Sequence, residues 1–170
     1  AFLMKHKIKG RILYRARAYD REPYGLDMLF RFKNAKRDGA GDPLPQGRMA
    51  LFQTIDGNRM LVGESQISDK AVDEDVDLVF GEAANVSMDT EDIEKGNRDK
   101  ERWHRITLSN ANPHPIEAEI EFFGGRNYNF SKFSGKVRSE PGKKIWALTV
   151  GANETETLEY RTQEVEEDEG

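Results

Sequence analysis

The sequence predicts an all-β protein: an antiparallel β-sandwich, built as two stacked sandwich units with the second immunoglobulin-like. Three observations predict it. Apolar residues recur at every second position through most of the chain, which is the period of half-buried strands. No segment carries a helical stripe of ten residues or more. Breaks containing Gly and Pro separate roughly ten alternating runs at short spacing, the punctuation of a sandwich.

The first run, "KHKIKGRILYRARAY", sets Ile8, Ile12, Tyr14, Ala16 and Ala18 against Lys5, Lys7, Lys9, Arg11, Leu13, Arg15 and Arg17. One face is apolar and the other is a ladder of six cations. "LDMLFRFK" repeats the scheme, with Leu26, Met28, Phe30 and Phe32 on the core side. Then "NAKRDGAGDPLPQG" places three glycines and two prolines in fourteen residues. Glycine admits φ > 0, while proline fixes φ and lacks a donor, so strand pairing must stop here. This stretch reads as a structural crossover, since Asp38 and Asp42 are its only acids.

"RMALFQTI" and "RMLVGESQI", joined through Asp56-Gly57-Asn58, read as a hairpin. "DVDLVF" places Val76, Leu78 and Phe80 together. Between Glu82 and Glu101 the chain turns polar and acidic, with one short strand expected around Val86 and Met88 and a boundary near Gly96. In "RWHRITLSN", His104 shares a face with Ile106 and Leu108, so an interior histidine bonded to backbone is expected. "NPHP" is a turn. "IEAEIEFF" points Ile116, Ala118, Ile120 and Phe122 inward and Glu117, Glu119 and Glu121 outward. "KIWALTV" and "TETLEYRT" bring Trp146, Leu148, Val150, Leu158 and Tyr160 inward. The expected organisation is a sandwich unit over 1–95, an immunoglobulin-like unit over 96–163 and an acidic tail over 164–170.

Charged residues make up 34% of the 170, against 36% hydrophobic, yet the apolar positions are clustered and periodic, as disordered chains are not. The absence of cysteine excludes a disulfide framework, a thiolate zinc site and a cysteine nucleophile. No apolar run approaches the ~18 residues that span a membrane, so no transmembrane segment is expected. The net charge of −5 is uneven: residues 1–37 carry +8 and the remainder −13.

Three readings of the cation ladder follow. An acidic strand face such as Glu117, Glu119 and Glu121 would pair with it. Charges also protect edge strands from aggregation. The third reading is docking of an anionic polymer on Lys5, Lys7, Lys9, Arg11, Arg15 and Arg17. Nucleic acid is disfavoured, because the chain is acidic overall and no aromatics interleave with the cations. Trp103 and Tyr128 are the aromatics expected to be exposed; one reading is a platform for a pyranose face, and the favoured one is that Trp103 covers the seam between the two sheets or subdomains.

Catalytic patterns are missing. There is no G-x-S-x-G elbow, no phosphate-binding glycine loop and no calcium loop. The three histidines, His6, His104 and His114, lack ligand spacing, so no metal or other cofactor is expected.

"FRFKNAKRDGAGDPLPQGRMALFQ", followed by "RMLVGESQISDKAVDEDVDLVFGEAANV", resembles the C-terminal domain of unknown function of bacterial mucoidy-inhibitor-like proteins. The matching positions are Asn34, Gly39, Gly41, Pro43, Leu44, Pro45, Gly47, Gly63, Glu64 and Gly81. "HRITLSNANPHPIEAEIEF" and "LTVGANETETLEYR" are similar to later elements of that domain. The resemblance covers roughly residues 26–163 and leaves the cation ladder outside. It implies a bacterial, periplasmic or otherwise extracytoplasmic setting, and no reaction. The expected function is a non-catalytic binding or structural module of an envelope protein, contacting a protein or an anionic or carbohydrate polymer. The alternative is a carbohydrate-active enzyme or its accessory domain.

Overall fold

A computed structural model describes residues 7–19, 22–96, 100–125 and 128–165. Among them are twelve strands and a single-turn 3-10 helix, Lys36–Asp38. The strands are β1 (Gly10–Ala18), β2 (Tyr24–Lys33), β3 (Gly47–Ile55), β4 (Asn58–Ile67), β5 (Asp75–Glu82) and β6 (Val86–Ile93), followed by β7 (Glu101–Asn110), β8 (Ile116–Phe123), β9 (Tyr128–Ser131), β10 (Arg138–Glu140), β11 (Lys143–Val150) and β12 (Thr155–Glu164). The protein is all-β, with open, mainly antiparallel sheets.

The chain divides into two compact units that are not consecutive stretches. One takes Ala1–Leu13 and Asp27–Glu82, the other Tyr14–Leu26 and Ala83–Gly170. Strands β1 and β2 therefore each give part of their length to both. Gly96, the expected boundary, falls inside the second unit. The polar stretch there is not a linker. It holds an eight-residue strand, β6, longer than the short one expected, at the edge of its sheet. Edge position leaves few of its side chains buried, which is why it reads as loop.

In the first unit, β2 pairs antiparallel with β5. The register shifts between Met28 and Leu29, where Phe80 is the extra residue on β5, so β2 itself keeps its alternation. Leu29 and Phe32 lie on opposite faces of β2 and both are buried, which a one-sided apolar series does not anticipate. Phe32, Leu44, Ile67, Val76 and Leu78 form the core. Arg31 grips Asp77 across β2 and β5 through two hydrogen bonds, of 2.7 and 2.9 Å.

The Gly/Pro crossover is organised by one side chain. Asn34 donates through Nδ2 to the carbonyls of Asp42 (2.8 Å) and Ala71 (2.9 Å), and its Oδ1 accepts from the Gly41 N–H at 2.9 Å. Gly41 has φ 112°, and a Cβ there would lie 2.7 Å from the Lys36 nitrogen. Leu44 exchanges two backbone hydrogen bonds of 2.8 Å with Lys70, which carries its side chain into the core.

Strands β3 and β4 form the expected hairpin. Asp56 (φ 49°) and Gly57 (φ 79°) take the two left-handed positions of a type I′ turn. Its basal half rests on β5 at Gly63, where an added Cβ would meet the Phe80 Cβ at 2.5 Å. Its distal half exposes Phe52, Ile55, Met60, Leu61 and Val62.

The second unit is a sandwich. One layer is β10-β11-β8 with the second part of β1, and the other is β6-β7-β12-β9. Ala16, Ala18, Ile120, Phe122 and Trp146 of the first layer pack with Ile106, Phe130, Leu158 and Tyr160 of the second in one cluster. Phe122 stands edge-on to Phe130, Phe133 and Tyr160, with centroids 5.1 to 5.3 Å apart, a favoured aromatic geometry. Burial in this core pushes the Tyr160 phenol far above its ordinary pKa. β1 and β8 run parallel, from Tyr14 opposite Ala118 to Ala18 opposite Phe122, which alternation alone did not predict.

Asn110 is the counterpart of Asn34: its Nδ2 reaches the carbonyls of His114 (2.9 Å) and Gly151 (2.9 Å). His104 is interior, as expected, and two side chains approach its ring nitrogens. Nε2 lies 2.8 Å from Thr162 Oγ1 and Nδ1 2.8 Å from Asp92 Oδ1.

Candidate functional site

The structure divides the cation ladder. Lys5 lies outside the described residues. Lys7, Lys9 and Arg11 are exposed, whereas Arg15 is only 6% exposed and Arg17 is half-buried. β1 is interior to its sheet, between β8 and β2, so the edge-protection reading fails. Parallel pairing with β8 sets Arg15 opposite Glu119 and Arg17 opposite Glu121. Neither glutamate faces solvent as expected, each being 3% exposed. Long cationic side chains cover them instead. Arg17 Nε lies 3.1 Å from Glu121, Lys143 Nζ 2.6 Å from Glu121, and Arg138 3.5 Å from Glu119 and 2.9 Å from Glu140. Burial by itself would raise the Glu121 carboxyl. Hydrogen bonds from Lys143 and Arg17, with the nearby charge of Arg15, outweigh it and hold its pKa below the usual range. The ladder is therefore not one continuous exposed face, because its later half is built into an ion network.

The expected aromatic platform also moves. Trp103 and Tyr128 are both half-buried rather than exposed. The Lys95 ammonium lies 5.0 Å from the centre of the Trp103 ring. Among the described residues the exposed aromatics are Tyr24 (62%), Tyr19 (47%) and, on the hairpin, Phe52 (43%). Tyr19 stacks on Phe123 with centroids 4.5 Å apart and planes at 20°, and Tyr24 leans against Tyr19 at 6.0 Å. Sequence reasoning missed this pair because "AYDREPYG" is a break between strands, where alternation assigns no face. Two tyrosines flanking a Pro-containing break were the available signal.

The second unit also carries an open cleft of about 420 Å³. Phe122 and Phe130, both buried, form its floor. Asn129, Ser139, Glu140 and Lys144 bring polar atoms to its rim. Phe122 and Phe123 are successive on β8 and point to opposite faces of the sheet. Phe122 lines the cleft and Phe123 carries Tyr19, and Lys143 links the two, lining the cleft with its Nζ 5.7 Å from the Phe123 ring centre. Apolar rings beside fixed polar groups suit an amphipathic ligand, with a C–H face to lie on an aromatic ring and hydroxyls to hydrogen-bond. Glu140 is the one carboxylate among the described residues lining the cleft, and Arg138 holds it at 2.9 Å.

Among the described residues, no three of His, Asp and Glu converge so as to hold a metal ion. No family model, no curated protein and no solved structure matches the chain.

Proposed function

We propose that this chain is a non-catalytic binding module of a bacterial envelope protein and that it holds a carbohydrate polymer. The observation that carries the reading is a cleft floored by Phe122 and Phe130 with polar groups around it, linked through Lys143 to the exposed aromatic cluster Tyr24–Tyr19–Phe123. A pyranose presents an apolar face and a polar edge, and this arrangement offers a partner to each. The resemblance of residues 26–163 to the mucoidy-inhibitor-like domain supports the envelope setting. The engagement of Glu140 by Arg138 supports binding over hydrolysis, because a glycosidase needs two carboxyl groups converging on one bond.

The test is binding of the chain to immobilised polygalacturonate and to a neutral glucan, at low and high salt. Binding to at least one is expected, and Tyr24→Ala should weaken it about tenfold, or about 1.4 kcal/mol. Failure to bind either polymer at either salt would overturn the proposal.

A second reading, contact with a protein, is favoured by one specific observation: the apolar distal half of the β3–β4 hairpin. Phe52, Ile55, Met60, Leu61 and Val62 are all at least 36% exposed there. Clustered apolar exposure of this kind marks interaction surfaces.

A further inference from the structure

We infer that the cleft carries a carboxylate-binding subsite at Lys144 and that the polymer it takes is an acidic, uronate-type glycan. The inference rests on the glycan-binding reading above and names the ligand class. It comes from the contrast between two neighbouring lysines. Lys143 is neutralised by Glu121 at 2.6 Å and by Glu140 at 3.7 Å. Lys144 forms no ion pair among the described residues. Its Nζ donates to the Phe130 carbonyl oxygen at 2.9 Å, and it lies 5.4 Å from the Phe133 ring centre. These contacts fix the ammonium in place without cancelling its charge.

Among the described residues lining the cleft the charged ones are Glu140, Lys143 and Lys144. Lys143 and Glu140 answer each other at 3.7 Å, which leaves Lys144 as the positive charge on the cleft wall. An ammonium has three donors, and the carbonyl uses one of them, so hydrogens remain for an incoming oxygen anion. Asn129 and Ser139 offer amide and hydroxyl groups on the same cleft. A sugar ring bearing a carboxylate satisfies all three kinds of group. A neutral sugar leaves the charge unanswered.

The experiment compares polygalacturonate, a neutral glucan and poly-glutamate, each titrated against wild type, Lys144→Gln, Lys144→Arg and Tyr24→Ala. The expected result has four parts. Wild type prefers polygalacturonate to the glucan, and salt weakens that preference. Lys144→Gln loses about tenfold on polygalacturonate and leaves the glucan unchanged. Lys144→Arg restores most of the loss. Tyr24→Ala weakens both sugars. Equal, salt-independent binding of both sugars by wild type and Lys144→Gln would overturn the subsite and leave the binding module standing. Loss of both sugars in Lys144→Gln, not restored by arginine, would assign Lys144 to holding the fold through Phe130, and a drop in thermal midpoint would accompany it. Poly-glutamate binding as tight as polygalacturonate would overturn the glycan assignment in favour of an acidic peptide. Absence of all binding would remove the underlying function together with the subsite.

Discussion

Asn34 and Asn110 show how much one side chain can hold. Each ends a strand and closes the loop that follows by bonding to main-chain groups remote in sequence. Asn34→Ala leaves two carbonyls and the Gly41 N–H without their partner. Stranded buried groups cost about 1–3 kcal/mol each, with partial compensation by water. A loss of about 3 kcal/mol is expected, read as a lower urea midpoint. Asn34→Asp should be no rescue, since a carboxylate cannot donate to the Asp42 and Ala71 carbonyls. The asparagine at the strand end was legible in the sequence, but its role was not, because Ala71 is distant along the chain.

Glu121 makes a second prediction at this scale. Its carboxyl titrates lower in the folded state than in the unfolded chain, where about 4.3 applies. It therefore contributes stability at neutral pH, and that contribution disappears as pH falls through the folded value. The stability difference between wild type and Glu121→Gln should shrink on acidification from about pH 6 to about pH 2–3. A difference that stays constant across the range would show that the ion network is energetically silent.

At the scale of elements, the β3–β4 hairpin and β8 make opposite cases. The hairpin was readable in full, since an Asp-Gly turn between alternating runs is a local signal. A two-stranded hairpin is marginal by itself, so its attachment matters. Gly63 is that attachment. Gly63→Ala forces a Cβ into Phe80 and should cost about 1–3 kcal/mol. Amide exchange through β3 and β4 should speed up while the second unit keeps its protection. Unchanged exchange in the hairpin would mean that its base does not depend on this contact. Strand β8 looked half-exposed, with Glu119 and Glu121 at its outer positions. Its neighbours, β1 on one side and β11 on the other, supply the arginine and lysine that cover Glu121, and Arg138 of β10 reaches Glu119. Alternation reports which residues share a face, and it is silent about what lies over that face.

For the whole molecule, the charge asymmetry along the chain becomes partly local pairing in space. The +8 of residues 1–37 is not an isolated cationic surface, because Arg17 and Arg31 are paired with Glu121 and Asp77. Lys7 and Lys9 remain exposed, in the first unit, while the cleft belongs entirely to the second. Neither lines the cleft, so reversing both, as Lys7→Glu with Lys9→Glu, should change polygalacturonate affinity by less than about twofold at moderate salt, where exposed charges are screened. A steep loss would return the polymer site to the ladder.

The sequence by itself determined the β class, the positions of most strands, the hairpin, the Gly/Pro crossover and the inward faces of β7, β8 and β12. Each of these depends on residues close together in the chain, through the two-residue strand period or turn stereochemistry. On β1, by contrast, the sequence set Ile12 inward and Leu13 outward, and the structure has Ile12 exposed and Leu13 buried. Only the tertiary structure decided that β1 lies parallel to β8, that Glu119 and Glu121 are buried beneath cations, that Tyr19 stacks on Phe123, and that Lys144, among the described residues, stands without an acid partner beside a lysine that has two. Those facts depend on which strands become neighbours. Strand partnership is a long-range choice, made by the fit of whole faces, and the local pattern leaves it open.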